Sequence, residues 1–272
     1  VFLNPYLASL SNKKALIITA EKKEKYILET IKSCLEQSLN KNIRIIVVYS
    51  KLKNEKEVKS KFLRFKNLIF LKCLLTKKLP IHDQLFKVEV ASKYLGNEWV
   101  LLLDGDDLFV KKKLENLQKL NLCKDMLYLH NHAIIKGNSL SKSKNSKKYK
   151  RTFLYKNLFN DWPEKINTSS ILISAKKLKK FYAANNPYKW KFLAIDVQLI
   201  LNFYYKNKFI FLDKIFTLKR ENINNLDKKY SNYFNKLFWI RRLEQHNLTK
   251  KLSGKNNFVD RFITIFFLKL FI

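Results

Sequence analysis

The chain has 272 residues, of which 47% are hydrophobic, 14% aromatic and 28% charged. That is too apolar and too aromatic for a disordered chain, and long enough for one large domain or two small ones. Four glycines and four prolines exclude collagen-like and linker-rich architectures, and no uncharged apolar run approaches the ~18 residues of a spanning helix. The formal charge is +33, and 48 of the 55 basic residues are lysine. Base readout and planar phosphate clamping favour arginine, and no helix-turn-helix, RNP-like or zinc-finger pattern is visible. Nucleic acid therefore ranks last among anionic partners, behind an anionic membrane surface and a phosphate-bearing substrate. Much of the lysine is read as solvated surface in a chain whose Lys, Asn, Ile, Phe and Tyr usage fits A/T-rich codons.

In chain order, residues 15–20 (ALIITA) read as a short buried strand and 24–39 as an amphipathic helix, with Tyr26, Ile27, Ile31, Cys34, Leu35 and Leu39 at helical spacing. A β-branched strand follows at 43–49, a Lys/Glu-rich helix at 52–65, a strand at 67–72, a helix at 82–95 and an apolar strand at 98–104. Continuous apolar runs alternating with helices predict parallel strands covered on both faces, an α/β fold. Right-handed crossovers then place every strand's C-terminal end along one edge, where open sheets bind ligands. The second half predicts a strand at 126–135, a strand at 169–174, a helix at 191–205, a strand at 208–212, a polar connection and a helical region at 228–272. Between them, residues 136–151 carry seven Lys/Arg and no acid, read as a surface loop or as a lid over an anionic substrate. Cys34, Cys73 and Cys123 are odd in number and far apart, so core thiols of a reducing compartment are expected rather than a disulfide framework. With Lys13 and Lys14 breaking the first twenty residues, no leader is read there, and a cytoplasmic protein is expected.

Three segments fall on the ligand-binding edge: Thr19-Ala20-Glu21, Tyr49-Ser50 and Asp104-Gly105-Asp106-Asp107. Three aspartates within four residues repel one another unless something neutralises them. A divalent cation does so, and hard carboxylate oxygens suit Mg²⁺ or Mn²⁺. Gly105 is expected to give the turn backbone freedom. Alternatively, Asp106 or Asp107 caps the following helix. With glycines only at 96, 105, 137 and 254, neither a GxxxxGK[ST] loop nor a GxGxxG fingerprint exists, so a nucleotide here would be held by a metal and side chains.

ALIITAEKKEKYILETIKSCLEQSLNKNIRIIVVYS followed by EWVLLLDGDDLFVKKKLENLQ resembles the GT-A fold of family 2 glycosyltransferases. NTSSILISAKKLKKF (167–181) and FLAIDVQLILNFYYKNKFIFLDKIFTLKR (192–220) resemble later segments of that family. The resemblance implies a GT-A domain over 1–225 and a C-terminal helical extension over 226–272. It implies an inverting transfer of sugar from a nucleotide-diphosphate donor to a glycan or lipid-linked acceptor, with Mn²⁺ or Mg²⁺ as cofactor. Asp104 and Asp106 match the DxD motif for cation and donor, Asp107 the neighbouring acid, and Asp196 the general base. Thr19, Ala20 and Glu21 match the loop over the nucleotide, and Tyr49-Ser50 stands where many relatives carry a base-reading Asp pair. Asp83 lies in His82–Lys87, which replaces the family's aRNxGi segment, and is taken as a donor-binding candidate that could equally be a plain N-cap. Ala194-Ile195 replaces the Glu before Asp196, and no QxxRW follows, so no processive synthase is implied. Two other readings use the same residues: nucleotidyl transfer, and a non-catalytic basic module binding membranes or polyanions.

His130 and His132 flank Asn131 in a strand and are read either as metal ligands or as a solvent-facing polar pair. Asn167-Thr168-Ser169 and Asn247-Leu248-Thr249 are glycosylation sequons, without consequence in a cytoplasmic protein. Residues 258–272 (FVDRFITIFFLKLFI), preceded by Arg241, Arg242, Lys250, Lys251 and Lys255, are too short to span a bilayer. They suit in-plane insertion at the cytoplasmic face or packing on the core or another subunit.

Overall fold

A strand with a neighbour on either side and helices on both faces has no solvent-facing position, so every residue of it must tolerate burial. β1 (Lys14–Ala20) meets that requirement along its whole length. In the computed structural model, which describes residues 13–20, 26–37, 43–74, 79–136, 139–141, 167–220, 232–254 and 258–271, β1 pairs in parallel with β2 (Ile43–Tyr49) and with β4 (Trp99–Asp104). β3 (Leu68–Lys72) extends the sheet in parallel beyond β2. The crossovers carry α1 (Ile27–Leu35), α2 (Glu55–Lys61) and α3 (Pro80–Lys93). Alternation along β1 divides the core in two. Leu16 and Ile18 pack with Ile27 and Ile31 of α1, whereas Ala15 and Ile17 pack with Leu85 and Val88 of α3.

Beyond β4 the sheet becomes mixed. β5 (Leu108–Phe109) and α4 (Lys113–Gln118) precede β6 (Leu127–Lys136) and β7 (Ser139–Ser141). β8 (Ile171–Ser174), α5 (Ala175–Ala184), α6 (Ile195–Tyr204) and β9 (Phe209–Arg220) follow, then α7 (Lys236–Ser253) and α8 (Phe258–Leu270). Among the described residues nine strands run in the order β3-β2-β1-β4-β8-β6-β9-β5, with β7 paired to β6. β8 is antiparallel to β4 and β6, and β9 is parallel to β6 and antiparallel to β5. The expected α/β architecture with a C-terminal helical part is present.

Several sequence expectations are corrected. The strand expected at 208–212 runs on to Arg220, because β9 accommodates the polar Asp213 by a register shift against β6 around Asn131, and Asn131 Nδ2 donates to Asp213 Oδ1 at 2.9 Å. The basic loop loses Ser139–Ser141 to β7, and its residues 142–151 lie outside the described ones. The helix expected from 191 starts at Ile195, after a 3₁₀ turn over Pro187–Lys189. Cys34 and Cys73 are buried as expected, but Cys123 is exposed. Burial pushes the Cys34 thiol up to about 12, which makes it inert at neutral pH.

The strand order reverses between β1 and β4, the first strand's successors lying on opposite sides of it. This is the switch point at which open α/β sheets leave a crevice. Thr19 and Asp104 are register partners there, at the C-terminal ends of both strands. Leu101 anchors this junction with no exposure. Leu101→Ala should lower unfolding free energy by about 2–5 kcal/mol in urea denaturation.

Candidate active site

β4 stops at Asp104 because the next residues turn back toward β9. Gly105 N donates to Thr19 O at 2.9 Å, and Thr30 Oγ1 donates to Gly105 O at 2.8 Å. Both backbone groups of the turn are thereby tied to β1 and α1. The expectation that Gly105 is needed for its backbone angles is corrected, since among the described glycines only Gly254 has a positive φ. The glycine instead lies buried against Thr19 and Thr30.

Asp104 sits in a polar cradle drawn from four parts of the chain. Its Oδ1 accepts from Gln84 Nε2 at 2.8 Å and from Thr19 Oγ1 at 3.4 Å, and its backbone N–H donates to Ser169 Oγ at 3.0 Å. Gln84 Nε2 also reaches Thr168 Oγ1 at 3.3 Å. The second Asp104 carboxylate oxygen has no protein partner among the described residues. Burial, followed by the charges of Asp107, Asp106 and Asp196, holds the Asp104 carboxyl well above the usual carboxylate range, with Lys219 opposing them. The folded chain thus brings Asp196 close enough to act electrostatically on the DxD-like turn. Asp196 lies in the first turn of α6, almost fully buried, with Oδ1 accepting from Val197 N at 2.7 Å.

Asp107 is aimed elsewhere. It is buried, and its Oδ1 accepts from the Arg220 backbone N–H at 2.9 Å at the end of β9. The Ser169 hydroxyl lowers its pKa, and its Oδ2 is buried without a partner among the described residues. Arg220 braces the same turn through its side chain, with Nε on Asp106 O at 3.2 Å, Nη2 on Glu29 Oε2 at 2.6 Å and the guanidinium 3.8 Å from the Tyr26 ring centroid. Among the described residues no group of three His, Cys, Asp or Glu is placed to hold a metal, and one of the two Asp107 oxygens is committed to the β9 backbone. Asp104, whose second oxygen has no partner among the described residues, and Asp106 lie at the edge. That fits a hard cation that takes only one or two carboxylates and completes its shell with phosphate oxygens.

The other expected residues divide. Ala20 offers its carbonyl to Lys87 Nζ at 2.7 Å, and Lys87 also pairs with Asp83 one turn back on α3. Asp83 is thus an ion-pair partner of a buried lysine at the sheet edge. Tyr49 is buried, with its hydroxyl donating to Glu55 Oε1 at 2.7 Å. Ser50 is buried with no partner on its hydroxyl among the described residues. Glu21 lies outside the described residues. His130 is buried against Phe216, ring centroids 5.4 Å apart, rather than solvent-facing. Burial keeps it neutral by lowering its pKa well below the ordinary value, and His132 falls to about 4.

Sequence reasoning missed Gln84, Lys87, Thr168, Ser169 and Arg220. One signal existed for Lys87: it interrupts the apolar face formed by Ile81, Leu85, Val88 and Leu95, where a lysine needs a reason. Thr168 and Ser169 were visible as part of the family-like segment 167–181 and as a sequon, not as site residues, and burial of Asn167 removes the sequon reading whatever the compartment.

The buried carboxyls give the fold a pH signature. Burial and the charge of Asp106 push Asp107 up to about 7, against an ordinary 3.8. The folded chain then holds a proton that the unfolded chain has released, so stability falls as pH rises through this window. Without divalent cation, Tm should decline between about pH 4 and pH 7, and Asp107→Asn should flatten that decline in a thermal melt series.

No family model matches the sequence, and no curated protein matches it significantly. Solved structures do resemble it. TarS 1–349 of S. aureus in complex with UDP-GlcNAc aligns with TM-score 0.62 and 17% identity over 95% of this chain and 71% of that one. Against the longer TarS structure the chain spans 42% of that protein's length. The mannosyltransferase PcManGT from Pyrobaculum calidifontis, in complex with GDP-Man and Mn²⁺, aligns with TM-score 0.57 and 12% identity over 95% of this chain and 70% of that one. GalNAc-T7 with UDP, GalNAc and Mn²⁺ gives TM-score 0.51 and 11% identity over 78% and 44%. At such identities the likeness is one of fold, and by fold this chain is of the GT-A type found in glycosyltransferases.

Proposed function

We propose that the chain is an inverting glycosyltransferase that moves a sugar from a nucleotide-diphosphate donor to a glycan or lipid-linked acceptor. The observation that supports it best is the placement of Asp104 and Asp106 at the switch point, with Asp196, some ninety residues further on, near enough to act on Asp104 electrostatically. The GT-A architecture and the sugar-nucleotide complexes of its structural neighbours point the same way. Asp104 and Asp106 would hold Mn²⁺ or Mg²⁺ jointly with the donor diphosphate. When bound, the cation offsets the negative charge that develops on the leaving group.

The chain's own residues account for the other steps. Thr19, Gln84 and Ser169 fix Asp104 so that its unpartnered oxygen stays at the edge. Lys87, paired with Asp83 and bonded to the Ala20 carbonyl, ties α3 to the end of β1 at the same rim. Asp196 takes the proton of the acceptor hydroxyl as the acceptor oxygen bonds to the anomeric carbon. The bond from that carbon to the diphosphate oxygen breaks on the opposite side, its electron pair leaving on the nucleoside diphosphate, which inverts the centre. Nucleotidyl transfer would need no base facing a sugar acceptor, and the approach of Asp196 to Asp104 favours the glycosyl reading.

A panel of UDP- and GDP-sugars, incubated with the chain and Mn²⁺, should release nucleoside diphosphate. Turnover of nucleoside triphosphates with sugar phosphates in its place would contradict the proposal. Asp196→Asn should lower kcat by about 10²- to 10⁴-fold while thermal stabilisation by nucleoside diphosphate persists. Asp106→Asn should abolish both with the fold intact.

A further inference from the structure

The C-terminal helix is built with its polar side inward. In α8, Asp260 and Thr264 are 2% and 0% exposed and face α7. Asp260 Oδ1 accepts from Arg242 Nε at 3.0 Å and Nη2 at 2.6 Å, and the carboxylate stands 3.0 Å from His246 Nε2. Thr264 Oγ1 donates to Asp260 O at 2.8 Å, and Arg261 Nη1 donates to Asn247 Oδ1 at 2.8 Å. Phe267 stacks on Trp239 at 4.6 Å. This seam fixes which way the helix is rotated. The opposite side presents Phe258, Phe262, Phe266 and Leu270, each four residues from the last and 51–75% exposed. A helix on a water-facing surface has the reverse pattern, and a contiguous apolar stripe of this kind marks an interaction site.

Charge selects the occupant. Lys236 and Lys269 lie exposed at one end of the antiparallel hairpin, where Lys236 Nζ reaches Phe271 O, and Lys250 and Lys251 lie exposed toward the other. Apolar stripe and flanking lysines together match the interface of an anionic bilayer, with stems buried and ammonium groups at the headgroups. A second copy of the chain fits less well, since each carries +33 and association would bring like charges together. Thirteen residues make a helix of about 20 Å, and no helix among the described residues is long and apolar enough to cross a membrane.

We propose that α8 docks in the plane of an anionic lipid surface, Phe258, Phe262, Phe266 and Leu270 entering the acyl boundary and Lys236, Lys250, Lys251 and Lys269 meeting the headgroups. The hairpin is fastened to the segment that leads into Asp196. Glu244 of α7 accepts from the Lys191 and Phe192 N–H groups at 2.9 and 2.8 Å, and Leu248 packs with Trp190, Leu193 and Val197. Docking therefore anchors that segment at the lipid surface. The surface itself stands independently of the reaction proposed above.

Flotation of the full chain with phosphatidylcholine–phosphatidylglycerol vesicles tests this directly. The chain should float with the anionic vesicles, much less with phosphatidylcholine alone, and release as salt is raised. The double substitution Phe258→Ser, Phe262→Ser should weaken vesicle binding by at least about tenfold, since burial of each phenyl is worth about that much or more. Its circular dichroism and Tm should be unchanged, because neither side chain belongs to the buried seam. Equal flotation of the double variant, or no binding to anionic vesicles, would overturn the proposal. So would a concentration-dependent oligomer in light scattering that the same substitutions dissolve without any vesicle binding.

Discussion

Mutual repulsion among carboxylates at the end of β4 is the constraint around which this molecule is arranged. Asp104, Asp106, Asp107 and Asp196 gather where the central strands end, and burial makes each negative charge costlier still. The chain's own groups offset part of this. The Arg220 N–H serves Asp107, Gln84 and Thr19 serve one oxygen of Asp104, and the charge of Lys219 favours the ionised form of both. Carboxylates held together at a ligand-binding edge are what a cation shared with a diphosphate would use.

The buried cations show how position, more than number, decides what a lysine does. Lys87 is buried and bonded to Asp83 and Ala20 at the sheet edge. Lys113 lies behind the aspartates with no exposure, its Nζ 3.1 Å from Thr217 Oγ1 and 3.7 Å from the Phe109 ring centroid, and burial draws its pKa well below the usual lysine value. Thr217 in turn donates to Ser169 O at 2.9 Å, so this polar seam continues to the residue that braces Asp104 and Asp107. The many surface lysines have no such constraint and act collectively as a field.

How much of this could be read from sequence depends on whether a residue's neighbours are near it in the chain. β2 was legible to the residue, 43–49, because a parallel strand covered on both faces is an almost continuous apolar run, here interrupted only by the exposed Arg44. The acidic turn stood out because the chain has few acids. The outer half of β9 was not legible: Asp213 and Lys214 look like a connection until Asn131, 82 residues earlier, supplies the partner. The direction of Asp107 was hidden for the same reason, since its acceptor role is set by Arg220, 113 residues away. Gln84, Thr168 and Ser169 belong to ordinary-looking segments and become site residues only when β1, β4 and β8 lie side by side. In α8 the composition was legible, but its rotation was not, because it is fixed by Arg242 and His246 on another helix.

The most direct test of the central claim is Mn²⁺ binding followed by electron paramagnetic resonance, with the chain and a nucleoside diphosphate added separately and together. The account predicts that the free Mn²⁺ signal falls strongly only when both are present, and that Asp104→Asn abolishes this cooperation without unfolding the chain. Nucleoside diphosphate binding that is indifferent to both Mn²⁺ and the Asp104 substitution would contradict it.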